Sequence, residues 1–425
     1  MKISIPHIHK IEGDAGFWAE VTKEGKVEGL KIQSLLGLRQ IEGILVGRKV
    51  EEAPVVISRI CGICPVVHIL NAISAFENAL SIKVSPLTVS LRKLMLASQM
   101  IQSHALHLFF MSFPDFFNIE NDLDLLKKFP REAKAAMKVR DYALDITKIV
   151  GTRVVHPLTF KIGGFRKLPE KEKLQKLLKD SDSAIENALI LGKTLKKISY
   201  PKFERKINFA SLYSEKEYSF YQANLVKIKE EKVTIGDFYS NKMIEDLKTP
   251  PVKKVKFRGE SYMLGAIARL KNNNSLLNPK AKEILEEFIK EQGIDKEKMF
   301  DNIFYNLFYQ FVEVLHFIEE TQKIIKEVSA MDLKENPKEI KIKKGTGLSA
   351  MEAPRGTLFD YVEIDEKGRV FSCNIITPSA QFLNNLEEDI KFYLPEIIKM
   401  SEKERIRKIR SLVRVYDPCI SCATH

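Results

Sequence analysis

Arg59-Ile60-Cys61-Gly62-Ile63-Cys64-Pro65-Val66-Val67-His68, near the front of the chain, is answered at its end by Asp417-Pro418-Cys419-Ile420-Ser421-Cys422-Ala423-Thr424-His425. These two Cys-x-x-Cys pairs hold four of the five cysteines in 425 residues. Such a thiolate pair chelates one soft metal ion, and two pairs make a four-sulfur site once the fold unites them. The stretch between them is far too long for a self-contained zinc knuckle. The site therefore belongs deep in a large fold, closed by both ends of the chain. Gly62 suits a tight turn between ligands, and Pro65 favours helix initiation directly after them. His68 shares a helix face with Cys64, as a metal ligand or as a hydrogen-bond donor to a sulfur. A chain end buried beside a metal needs fixing, and a hard cation taking His425 with carboxylate oxygens would serve.

The length is roughly two to three times that of a usual domain, enough for a sizeable core. Hydrophobic and charged fractions of 44% and 29% describe a globular protein. The net charge of +12 is spread along the chain, with lysines alternating with glutamates as in Pro169-Glu170-Lys171-Glu172-Lys173. That is the pattern of a solvated helix face, and no nucleic-acid partner is expected from it. Met1-Lys2-Ile3-Ser4 lacks the apolar run of a signal peptide, and no apolar stretch reaches bilayer length. The expectation is a cytoplasmic protein without a transmembrane segment, whose paired cysteines are ligands or redox thiols rather than staples.

Residues 1–33 alternate apolar and polar positions around Gly and Lys-Glu-Gly turns, predicting a small antiparallel β unit. Helical spacing comes next: Val66, Ile69, Leu70, Ile73, Phe76 and Leu80, then a helix capped at Ser85-Pro86 and running toward Phe110. Phe304, Leu307, Phe308, Phe311, Leu315 and Ile318 predict a bundle core helix, and Asn384 to Leu412 another helical stretch. Segments 250–275, opening with Pro250-Pro251, and 338–376 read as β-containing insertions. The expected fold class is α+β, mainly α. It is a single domain over 1–425, with a β unit over about 1–35 and a central long-helix bundle carrying further small antiparallel β units in the C-terminal half.

From spacing alone, a structural Cys-four zinc site on a non-catalytic scaffold competes with a catalytic soft-metal centre. Only the second demands acids and an arginine poised around the sulfurs. The chain resembles the large, catalytic subunit of nickel–iron hydrogenases, and the likeness spans nearly all of it. Beyond its two ends, the segments that carry the resemblance are Lys10-Ile11-Glu12-Gly13, Leu38-Arg39-Gln40-Ile41-Glu42, His156-Pro157 with Gly163-Gly164, and Glu352-Ala353-Pro354-Arg355-Gly356. The quinone-binding subunit of respiratory complex I is similar in fold but lacks the four cysteines.

The resemblance implies nickel held by all four thiolates, with Cys61 and Cys419 terminal. Cys64 and Cys422 would bridge to an iron carrying carbon monoxide and cyanide. It implies His68 hydrogen-bonded to a bridging sulfur, and Arg355 above an open coordination position with Pro354 beside it. Asp115 and Asp417 would complete that canopy, and Ser379 would donate to a cyanide. Glu12 would be the proton gate beside a terminal thiolate. Glu42 and His425 would hold a magnesium ion. The reaction implied is the reversible cleavage of dihydrogen into two protons and two electrons. Asp14 and Lys10 stand where the family commonly has histidine and arginine, at the entry to the proton path. With its cysteines consumed by one centre, the chain would need an iron–sulfur small subunit and onward electron carriers, such as a flavin and NAD(P) module. A maturation protease and nickel chaperones would assist assembly. Cys373 has no implied role and reads as a small buried hydrophobe.

Overall fold

Alternating burial along the front of the chain closes β1 (Lys2–Ile5), β2 (Ala15–Val21) and β3 (Val27–Ser34) into an antiparallel sheet, with Ile5 opposite Phe17 and Ala15 opposite Ser34. The computed structural model describes residues 1–22, 25–246, 252–334 and 340–425, the side chains of 241–246 aside. The Lys23-Glu24 turn, Pro250-Pro251 and the start of the 338–376 segment lie outside the described residues.

Pro65 is the first residue of α1 (Pro65–Leu80), and Ser85 caps α2 (Pro86–Leu106) by accepting from the Thr88 amide. Both proline–cap signals hold because each missing N–H falls where the helix has no internal acceptor. Helix α2 packs with α3 (Pro130–Gly151), α4 (Lys171–Leu195) and α6 (Asn306–Ala330) as a four-helix bundle, α5 (Ala266–Asn273) leaning on α6. The phenylalanine stripe that leads into α6 and runs along it is core, with Phe304, Phe308 and Phe311 fully buried.

A second antiparallel sheet of β4 (Gly345–Ala353), β5 (Gly356–Ile364) and β6 (Val370–Ile376) lies against α1. The backbones meet closely, since a Cβ on Gly347 would fall 1.9 Å from the Ala75 carbonyl oxygen. The main-α, α+β expectation holds. Two segments depart from it. The 250–275 segment contributes one strand of a hairpin, Met243–Asp246 with Lys254–Phe257, but its second half is the helix α5. The stretch 384–412 is two helices, α7 (Pro378–Ile397) and α8 (Glu402–Val415). The break is a capping box in which Ser401 accepts from the Glu404 amide and Glu404 accepts from the Ser401 amide.

Among the described residues no helix is long and apolar enough to cross a membrane. The chain's two ends are sewn together beneath α1. Glu12 bridges Cys419 in parallel, the Ile420 amide donates to the Glu12 carbonyl at 2.8 Å, and the Arg39 amide donates to the Thr424 carbonyl at 3.0 Å.

Candidate metal centre

Cys61, Cys64, Cys419 and Cys422 converge, their sulfurs all within 4.8 Å of one another and all four residues buried. Cys61 faces Cys419 at 3.8 Å and Cys64 faces Cys422 at 3.5 Å. Hydrogen bonding among the sulfurs, Cys419 first, pulls the Cys61 thiol well below its usual range, while burial pushes Cys419 and Cys422 up. Four sulfurs in a dry interior share very little negative charge by themselves, and a cation among them removes that conflict. Gly62 is not in the left-handed region and has open space where a Cβ would lie, so the turn between the ligands does not itself require glycine.

The front pair is set by the start of α1. The Val66 and Val67 amides donate to Gln99 Oε1 at 2.7 and 3.2 Å, and Gln102 Nε2 donates to the Ile63 carbonyl at 2.8 Å. His68, fully enclosed, puts Nε2 3.5 Å from the Cys422 sulfur, and burial pushes its imidazole down to about 4. A neutral ring donates one proton to a sulfur without adding charge. The rear pair is set from several directions. The Cys419 amide donates to Ser379 Oγ at 2.8 Å, Glu12 Oε2 lies 2.8 Å from the Cys419 sulfur, and Arg39 reaches both the Ile60 and Ser421 carbonyls.

A small cavity opens beside Cys64, Cys419 and Cys422, walled by Ala353, Pro354, Leu358 and Pro378, with Arg355 and Ser379 at its edge. Arg355 comes from the β4–β5 turn. Its Nε donates to the Asp417 carbonyl at 2.6 Å and its Nη2 to the Asp417 carboxylate at 2.7 Å. Its Nη1 is buried with no partner. Burial opposes the charge, but Asp417 and the nearby sulfurs outweigh it and hold the guanidinium protonated. An unpaired buried donor is costly, so this one fits an acceptor carried by the occupant of the cradle.

Asp115 does not join this arrangement. It pairs with Arg414 on α8 and lines a surface groove with His9, Lys10 and Arg410. The reason is local: α2 continues into a π-helical turn, His107–Ser112, before Asp115 is reached. The extra residue per turn rotates the downstream side chains by about 100° from the α-helical phase.

Glu42 and His425 lie near one another, His425 Nε2 lying 3.8 Å from Glu42 Oε1 and 2.9 Å from the Ile375 carbonyl oxygen. Burial alone would raise the Glu42 carboxyl, but His425 and Lys253 outweigh it and bring it down to about 2. Burial pushes the carboxyl of Asp360, opposite Ile375 in the sheet, well above its usual range. Lys253 Nζ reaches the same acceptors, donating to Glu42 Oε1 at 2.6 Å and to the Ile375 carbonyl at 3.1 Å, so a positive charge already sits among these oxygens.

Sequence reasoning missed Arg39, Lys253, Gln99, Arg269 and Glu313. Each is a lone polar residue whose partner lies far away along the chain. Only the burial of a charged side chain on an apolar helix face could have flagged the last two.

A family model described as nickel-dependent hydrogenase matches residues 39–141 and 126–425. The chain belongs to that family, as a large, catalytic subunit and an oxidoreductase acting on dihydrogen. It is 32% identical over 432 residues to the sulfhydrogenase 1 subunit alpha of Pyrococcus furiosus, covering 100% of this chain and 98% of that one. It is 24% identical over 470 residues to the NAD-reducing hydrogenase HoxS subunit beta of Cupriavidus necator, covering 100% and 94%. In fold it matches the crystal structure of an NAD+-reducing [NiFe]-hydrogenase in the H2-reduced state with a TM-score of 0.88, at 22% identity, covering 100% and 99%.

Proposed function

We propose that the chain catalyses the reversible heterolytic cleavage of dihydrogen at a nickel–iron centre held by Cys61, Cys64, Cys419 and Cys422, with carbon monoxide and cyanide on the iron. That centre would supply soft-metal, redox-active chemistry that polarises dihydrogen and takes up its electrons. The observation that carries the reading is Arg355, whose buried and unpaired Nη1 belongs to a turn walling the four-sulfur cradle. A structural zinc gives no reason to bury such a donor.

The chain's own residues divide the work. Arg355, held by two atoms of Asp417, places a fixed positive charge where charge separates. Ser379 uses its oxygen to accept from the Cys419 amide, leaving its hydroxyl proton free for a cyanide. Pro354 and the neighbouring apolar wall exclude water, which strengthens both contacts. Glu12 is the only carboxylate hydrogen-bonded to a cysteine sulfur among the described residues, and takes the proton from Cys419 toward the surface. His68 donates to Cys422 and tunes its basicity. A magnesium ion held by Glu42, His425 and the Ile375 carbonyl would lock the chain end.

Two electrons per dihydrogen leave through an iron–sulfur small subunit, which passes them to a flavin and NAD(P) module or a similar acceptor in the cytoplasm. A maturation protease and nickel chaperones load the site. The test is isotope exchange: the anaerobically matured complex under D2 in H2O should release HD and H2. Absence of exchange from protein containing both metals would contradict the reading.

A further inference from the structure

The turn that carries Arg355 is gripped from behind by a second arginine. Arg269, on α5, is wholly buried, and each of its five N–H donors meets an acceptor. Nε and Nη2 fork onto the Glu313 carboxylate, both at 2.6 Å. Nη1 reaches Glu352 at 2.8 Å and the Ala353 carbonyl at 2.9 Å, and Nη2 reaches the Pro354 carbonyl at 3.0 Å. The two carboxylates are themselves saturated, Glu313 by His104 and Tyr218, and Glu352 by Thr357 and the Leu212 amide. On the opposite flank, Gly356 sits at φ 125°, and a Cβ there would fall 2.3 Å from the Leu264 Cβ. The turn thus has no slack: Arg269 holds the two peptides before Arg355, and Leu264 presses on the one after it.

We propose that Arg269 is a positioning residue for Arg355, fixing the root of the side chain whose tip Asp417 fixes. Only a planar fork supplies donors in the directions of two carboxylates and two successive carbonyls. A lysine ammonium offers three donors from one point and loses at least one carbonyl. The remote site would then act on the rate through a displacement of Arg355, where errors of an ångström cost on the order of tenfold to a hundredfold.

The inference rests on the hydrogenase reading and is tested by a double-mutant cycle in the metal-loaded complex. Arg269→Lys should keep nickel and iron, lower kcat for dihydrogen oxidation by about tenfold or more with a smaller change in KM, and shift the infrared bands of the iron's diatomic ligands. In an Arg355→Lys background the same change should cost less than about twofold, because the group it positions has already been replaced. Arg92→Lys, in the buried pair with Glu77 remote from the sulfurs, should lower thermal stability with bands and kcat unchanged. If Arg269→Lys does not load metal, Glu352→Gln, which loosens only the Nη1 arm, enters the same cycle and is read in the same way. Wild-type bands and kcat in the loaded single variant, or multiplicative losses in the double, overturn the inference. Missing nickel and iron in the unsubstituted complex would instead sink the hydrogenase reading.

Discussion

Cys61 and Cys64 sit at the head of a 16-residue helix, whereas Cys419 and Cys422 ride on 4 residues of helix at the end of the chain. The front arm is held mainly by neighbours on α2, Gln99 and Gln102, with Arg39 reaching the Ile60 carbonyl just before it. The rear arm is held by Glu12, Arg39, Ser379 and the Glu42–His425 contact, drawn from three separate parts of the chain. A short terminal helix has no cooperative stability of its own. The rear arm therefore depends on these long-range contacts and is expected to be the more easily lost of the two.

Removing a ligand from the rear arm is the most severe way to test this. Cys422→Ser should abolish nickel and iron incorporation, read by elemental analysis, while the circular dichroism of the bundle stays intact. Arg355→Lys should leave both metals bound yet lower turnover by about 10²–10³-fold, because the fork onto Asp417 is gone. Unchanged turnover would remove its role over the cradle. Glu12→Gln should slow proton exchange by on the order of 10²-fold and preserve the infrared spectrum. Loss of both together would make Glu12 a strut of the rear arm rather than a proton gate.

The contrast between arms also separates two milder variants. Glu42→Gln frees Lys253 and His425 at the rear and should lower nickel occupancy at limiting nickel by about tenfold. Gln102→Leu at the front should lower Tm by about 2–4 °C without that loss. Equal effects on occupancy would erase the distinction.

The smallest effect belongs to Asp115. Asp115→Asn should change turnover by less than about twofold, because its carboxylate pairs with Arg414 in the groove. Burial, against the pull of Arg414, pushes that carboxyl up to about 6 from 3.8. Between those pH values the folded chain binds more protons than the unfolded one, so this group's contribution falls as pH rises. The Asn variant should flatten that part of the stability profile in pH-dependent denaturation.

Legibility in the sequence divides along the same line. The front arm was legible because Pro65 and the apolar spacing after it are local signals for a helix that begins at the ligands. The rear arm was legible as chemistry but not as structure, since nothing within Asp417–His425 names Arg39 or Ser379 as its supports. Asp115 was placed over the sulfurs by resemblance alone, and neither its pairing with Arg414 nor the π-helical turn over His107–Ser112 is written in the local sequence. The helical stretch over 384–412 was read without its break, although the signal for one was present in Ser401-x-x-Glu404. Arg269 and Glu313 stayed hidden, as did half-buried Lys253, because a charged residue on a helix or beside a strand is usually solvated, and only the fold reveals which ones are not.

The most direct test is the metal content of the anaerobically matured, unsubstituted protein. Nickel and iron near one each per chain, with infrared bands of iron-bound carbon monoxide and cyanide, are the expected result. Zinc alone at the four sulfurs, without such bands, would contradict the account.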